Sequence, residues 1–137
     1  MTVIFGIDPG GTTGFCLIET TELGEIVFQE AVERKGIGQF PNLRLCDVVA
    51  MEDVVPTGRL TAGKALQLKA IGAIEAQGVN IEYVSPEERK RVSISLPIRG
   101  DHAKDAYRVA VAYAIREGLV SNDVAISFLA KKQGRNT

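Results

Sequence analysis

The chain has 137 residues, 45% hydrophobic and 24% charged, which suits one packed domain and excludes disordered, collagenous and low-complexity classes. No apolar run approaches the ~20 residues of a membrane span, and Met1–Asp8 meets an acid and a glycine turn too early for a secretory leader. The net charge of −1 hides an asymmetry: residues 1–53 carry nine acids against three bases, a balance of −6, and residues 54–137 carry eight against thirteen, a balance of +5. The second half is therefore compatible with a local surface for a polyanion. Cys16 and Cys46 have neither CxxC spacing nor a nearby His, and read as reduced thiols of a cytoplasmic protein rather than a zinc site or disulfide. The expectation is one domain over 1–137 with a fraying tail at about 133–137.

In chain order, residues 2–8 are β-branched and aromatic and predict a strand closed by Pro9-Gly10-Gly11. Residues 14–20 predict a second strand, paired to the first as a hairpin, and 25–32 a third, entered through Leu23-Gly24. Residues 33–46, with Gly36, Gly38 and Pro41, read as an irregular crossover. The apolar run 47–51 predicts a buried central strand that ends at Glu52. From Thr61 the period becomes helical, with Thr61 as cap and Gly78 as terminator. This helix is apolar over most of its circumference and rich in Gly and Ala, so two buried faces are expected, one on the sheet and one on a partner subunit. Residues 80–84 predict a fifth strand, and Ser85-Pro86-Glu87-Glu88 opens a helix with cap, proline and acids in its first turn. Residues 93–100 are a loop, 102–117 a helix capped by Asp101 and closed by Gly118, and Ser121 caps a last helix to about Lys132. Three antiparallel strands followed by two crossovers give a mixed α/β sheet, not a doubly wound one. Neither GxGxxG nor GxxxxGK[ST] is present.

Asp8 ends the first strand beside glycines that let a ligand approach the main chain. Glu52 ends a strand of apolar residues, where an acid calls for a partner or a cation. Its neighbour Asp53 points to the opposite face, toward solvent. His102 and Asp105 lie three apart on one helix face, and Asp105, flanked by Ala103, Ala106 and Val109, calls for a counter-charge. Converging carboxylates repel unless cations neutralise them, and an oxygen-rich cluster with one His suits Mg²⁺ or Mn²⁺ better than zinc. Two such ions about 4 Å apart would activate a water and stabilise the leaving oxygen in phosphodiester hydrolysis. Candidate phosphate contacts are Thr12, Arg59, Lys64, Arg89, Lys90, Arg91, Lys104 and Arg108.

The stretches Phe5-Gly6-Ile7-Asp8-Pro9-Gly10, Ala50-Met51-Glu52-Asp53-Val54-Val55 and His102-Ala103-Lys104-Asp105-Ala106 resemble, in order, the three acidic motifs of RuvC-type Holliday-junction resolvases. The resemblance runs over about residues 2–116. It implies a ribonuclease-H-like fold and a homodimer that cuts paired strands of a four-way DNA junction with Mg²⁺ or Mn²⁺. By position, Asp8, Glu52 and Asp105 would be the metal-binding catalytic carboxylates and His102 the fourth ligand, while the helix at about 61–78 would form the dimer. Two departures stand out: residues 33–46 are too short for the long helix that bacterial members place there, which marks a compact variant similar to phage-encoded relatives, and Val55-Pro56 replace a frequent aromatic residue that is associated with contacts at the opened junction. The competing expectations are a YqgF-like RNA-processing nuclease, a phosphate-binding fragment of the actin/sugar-kinase fold and a non-catalytic DNA-binding descendant.

Overall fold

The computed structural model describes residues 1–53, 58–94 and 96–120. Five strands form one sheet: β1 (Thr2–Asp8), β2 (Thr12–Thr20), β3 (Ile26–Lys35), β4 (Val48–Glu52) and β5 (Ile81–Val84). Their order is β3-β2-β1-β4-β5. The pairs β1–β2 and β2–β3 are antiparallel, whereas β1–β4 and β4–β5 are parallel, as the sequence predicts. The third strand runs three residues beyond its expected end, so Glu33 belongs to the sheet. Among the described residues three α-helices accompany it: α1 (Ala62–Glu75), α2 (Pro86–Lys90) and α3 (Asp101–Arg116). The expected helix from Ser121 to Lys132 and the Val55-Pro56 departure lie outside the described residues. No helix among the described residues is long and apolar enough to cross a membrane.

Alternation along the strands divides the core in two. On one face Ile4, Cys16, Ile18, Val48, Ala50 and Val84 pack against Ala103, Ala106, Tyr107 and Ala110 of α3. On the other, Phe5, Ile7, Phe15, Val49 and Met51 pack against Leu43 and Ile74 of α1. Phe5 and Phe15 meet edge to face at 6.3 Å, and Phe15 meets Phe40 at 5.0 Å, a favourable arrangement for ring quadrupoles. The short crossover holds its place by hydrogen bonds rather than by a long helix. Gln77 accepts from Leu43 N (2.9 Å) and donates to the Pro41 carbonyl (3.1 Å), and Arg44 Nε donates to the Gln77 carbonyl (3.0 Å).

The seat of α3 is set by two glycines. A Cβ at Gly6 would run into the backbone of Ala106 and Ala110, and one at Gly14 into that of His102 and Ala103. With no side chain in either place, the helix backbone rests directly on β1 and β2.

Helix α1 has one of its two expected buried faces covered within the chain. Thr61 caps it, accepting from Lys64 N (3.1 Å), and Gly78 takes φ +70° just beyond its end. Yet only Ala70 and Ile74 are buried, while Leu66 and Leu68 are exposed. The face with Ala70 and Ile74 is covered in this chain; the opposite one, with Ala65, Leu68, Gly72 and Ala76, is open. Helical period alone cannot tell a buried face from an uncovered one.

Candidate active site

Parallel pairing puts the C-terminal ends of β1 and β4 side by side. Ile7 is opposite Met51, so Asp8 and Glu52 occupy the next step on both strands. Asp8 shares a face with Ile4 and Gly6, and Glu52 with Val48 and Ala50, the face that α3 covers. Asp53, one residue on, is exposed. The turn after Asp8 is closed by the buried Thr13, whose hydroxyl donates to the Gly10 carbonyl (3.1 Å) and accepts from Gly10 N (3.3 Å). Such a side-chain bond fixes the turn without a longer loop.

The first turn of α3 arrives over this edge because Gly14, paired with Asp8, admits it. His102 Nδ1 lies 3.0 Å from Asp8 Oδ2. With Asp8 ionised, Nδ1 carries the proton of that bond. Asp101 is not the cap that the sequence suggests. The cap position belongs to Gly100, at φ +92° and with no side chain to offer, and Asp101 is the first helical residue. The capping acceptor comes from the sheet instead: Glu33 Oε2 accepts from His102 N (2.9 Å). Position 100 favours glycine because its φ of +92° strains any L side chain, and a Cβ there would also displace the Glu33 carboxylate.

Asp105 has the counter-charge it requires, twice. Its Oδ1 accepts from Arg108 Nη1 (2.7 Å) and from Arg89 Nη1 (3.2 Å). Arg89 also donates through Nε to Glu52 Oε1 (3.0 Å). Arg89 springs from α2, whose start carries the expected capping box between Ser85 and Glu88. Burial disfavours its charged form, but the bond to Glu52 and the charges of Glu52, Asp105 and Asp8 outweigh this and hold its pKa above the ordinary value. Asp8 has no guanidinium. Burial, only partly offset by His102 and reinforced by the nearby Asp105 and Glu52 charges, pushes its carboxyl from 3.8 up to about 6.

The four expected site residues therefore gather at one edge, from β1, β4 and α3. Their donor chemistry, three carboxylates and one imidazole, fits a hard divalent cation. Burial is the main cause of the raised Asp8 pKa, and Glu52 with Asp105 already surround a cation, the Arg89 guanidinium. Among the described residues, however, no three His, Cys, Asp or Glu side chains stand close enough to share one ion. The acids are held in pairs, Asp8 to His102 and Glu52 to Asp105 through Arg89.

Of the expected phosphate contacts, Arg89 and Arg108 turn toward the acids instead of outward. Lys90, Arg91 and Arg59 are exposed, and Thr12, Lys64 and Lys104 are half-buried. The Asp105–Arg108 pair could have been read from its i,i+3 spacing. Arg89 and Glu33 gave no such local signal, because their partners lie 37 and 69 residues away in the chain.

No family model matches the chain, and no curated protein matches it. Solved structures do. The chain is similar to Thermus thermophilus RuvC in complex with a Holliday junction substrate, with TM-score 0.65 and 17% identity over 87% of this chain and 98% of that one. It is also similar to a second Thermus thermophilus RuvC structure, with TM-score 0.59 and 19% identity over 85% and 97% of the two chains. The sheet order and helix placement define a ribonuclease-H-like fold. Within that class, the chain has the RuvC-like form.

Proposed function

We propose that the protein is a divalent-metal-dependent endodeoxyribonuclease that resolves Holliday junctions and other branched DNA through paired incisions by a homodimer. The observation that carries this reading is the meeting of Asp8, Glu52, His102 and Asp105 at one edge of a RuvC-like sheet. These four side chains would hold Mg²⁺ or Mn²⁺. When bound, such ions lower the pKa of a water and stabilise the leaving oxygen of a phosphodiester. The chain's own residues do the placing. β1 and β4 present two carboxylates on rigid backbone, and α3, seated on Gly6 and Gly14, delivers His102 and Asp105 to them. Thr12, Arg59, Lys64, Lys90, Arg91 and Lys104 would contact phosphates, fixing the branch without reading sequence. The open face of α1, with Leu68 among Ala65, Gly72 and Ala76, is the dimer surface in this reading.

The test is cleavage of a synthetic four-way junction with Mg²⁺ or Mn²⁺, set against Y-forks, duplex DNA and structured RNA. Paired nicks in the junction are expected, and Asp8→Asn or Glu52→Gln should abolish them while junction binding persists. Cleavage of the RNA alone would transfer the protein to the RNA-processing class. No cleavage of any substrate would refute the enzyme reading.

A further inference from the structure

We propose that Arg89 is a tethered counter-cation, which holds Glu52 and Asp105 together in the metal-free protein and gives up that position when a divalent ion binds. The inference rests on the metal-dependent reading above and concerns how the site is kept assembled before loading.

Three basic residues follow one another at 89–91, and they part company. Lys90 and Arg91 are exposed. Arg89 alone turns inward, with its side chain 17% exposed. One guanidinium bridges carboxylates from two different elements, using Nε toward Glu52 Oε1 and Nη1 toward Asp105 Oδ1. The capping box at Ser85 and Glu88 fixes the backbone from which it reaches. The arrangement is thus built, and partly shielded from water, where charge pairs are stronger than on an open surface.

It also conflicts with metal ligation as it stands. A divalent ion bound between Glu52 and Asp105 would need the face of these carboxylates that Arg89 now covers. Fully ionised, Asp8, Glu52 and Asp105 carry three negative charges, against the two positive charges of Arg89 and Arg108. A divalent ion beside both guanidinium groups would turn this net −1 into +1, and the ion and the guanidinium groups, as like charges at such range, repel. Moving Arg89 removes both the steric and the charge conflict. Its flexible side chain can swing while α2 stays in place, and Arg108 still holds Asp105.

The experiment is calorimetric titration of EDTA-stripped full-length protein with Mn²⁺ alone, comparing wild type with Arg89→Met and Arg89→Lys. Without the competing charge, Arg89→Met should bind Mn²⁺ at least tenfold more tightly, about 1.4 kcal/mol, and Arg89→Lys should stay near wild type. The metal-free Met variant should melt lower than wild type and recover on adding Mn²⁺. A residue that merely braces the fold would lower the melting point with no gain in affinity. Equal or weaker Mn²⁺ binding by Arg89→Met would overturn the exchange while leaving the nuclease reading intact. Absence of Mn²⁺ binding by wild type and variants alike would defeat the metal-dependent reading itself. Should the variants not fold, the ¹⁵N resonance of Arg89 Nε in wild type decides the matter: Mg²⁺ must shift it, and an unmoved signal rejects the proposal.

Discussion

Asp8→Asn should make the metal-free protein more stable. The Asp8 side chain is 15% exposed, and its carboxyl is pushed from 3.8 to about 6. The folded state therefore holds this proton more tightly than the unfolded chain does. The associated stability is fully present below pH 3.8 and is lost as the pH rises through about 6. By pH 7.5 the loss is complete, and the difference between the two values converts to about 3 kcal/mol. Asparagine cannot ionise, keeps nearly the same shape and still offers an oxygen to His102. The expected gain in EDTA at pH 7.5 is about 1–3 kcal/mol, or roughly 3–10 °C in melting temperature for a domain of this size. Urea denaturation of both proteins, repeated from pH 7.5 to pH 4, measures it. The gap should narrow as the pH falls through 6, and excess Mg²⁺ should also narrow it, by stabilising wild type alone. An Asn variant no more stable than wild type at pH 7.5 in EDTA would refute the idea that burial leaves this carboxylate undercompensated.

Gly14→Ala should cost about 3 kcal/mol or more, or prevent folding, because its Cβ meets the backbone of α3. Gly72→Ala, with nothing within 4 Å, should instead gain about 0.5–1 kcal/mol; urea melts of the pair check both signs. Glu33→Ala removes the acceptor for His102 N and should cost about 1 kcal/mol, as loss of a helix cap does, measured the same way. Leu68→Lys on the open face of α1 should give a folded monomer by analytical ultracentrifugation, where wild type should sediment as a dimer. A wild-type monomer even with junction present defeats paired incision.

The sheet was legible because its strands carry the right chemistry in the right period. Continuous apolar residues mark β4 as central, and two-residue alternation puts Asp8 and Glu52 on the same side of neighbouring strands. Helix boundaries were legible where they are local, as at Thr61, Ser85, Gly78 and Gly118. What escaped is long-range or depends on something missing. Gly6 and Gly14 look like ordinary strand residues until a helix rests on them. Asp101 looks like a cap until Gly100 brings in Glu33 from β3. Three consecutive bases look alike until the bend after β5 sends one of them toward two acids.

Main chain lying on main chain has a dynamic consequence. Most helices float on interdigitated side chains that can change rotamer and let the axis drift. At Gly6 and Gly14 there is no such cushion, so the sheet and α3 move as one body and open together. Hydrogen exchange at the first-turn amides of α3 should then require global opening rather than local fraying, and heat should dismantle the acidic pocket in the same step as the hydrophobic interior.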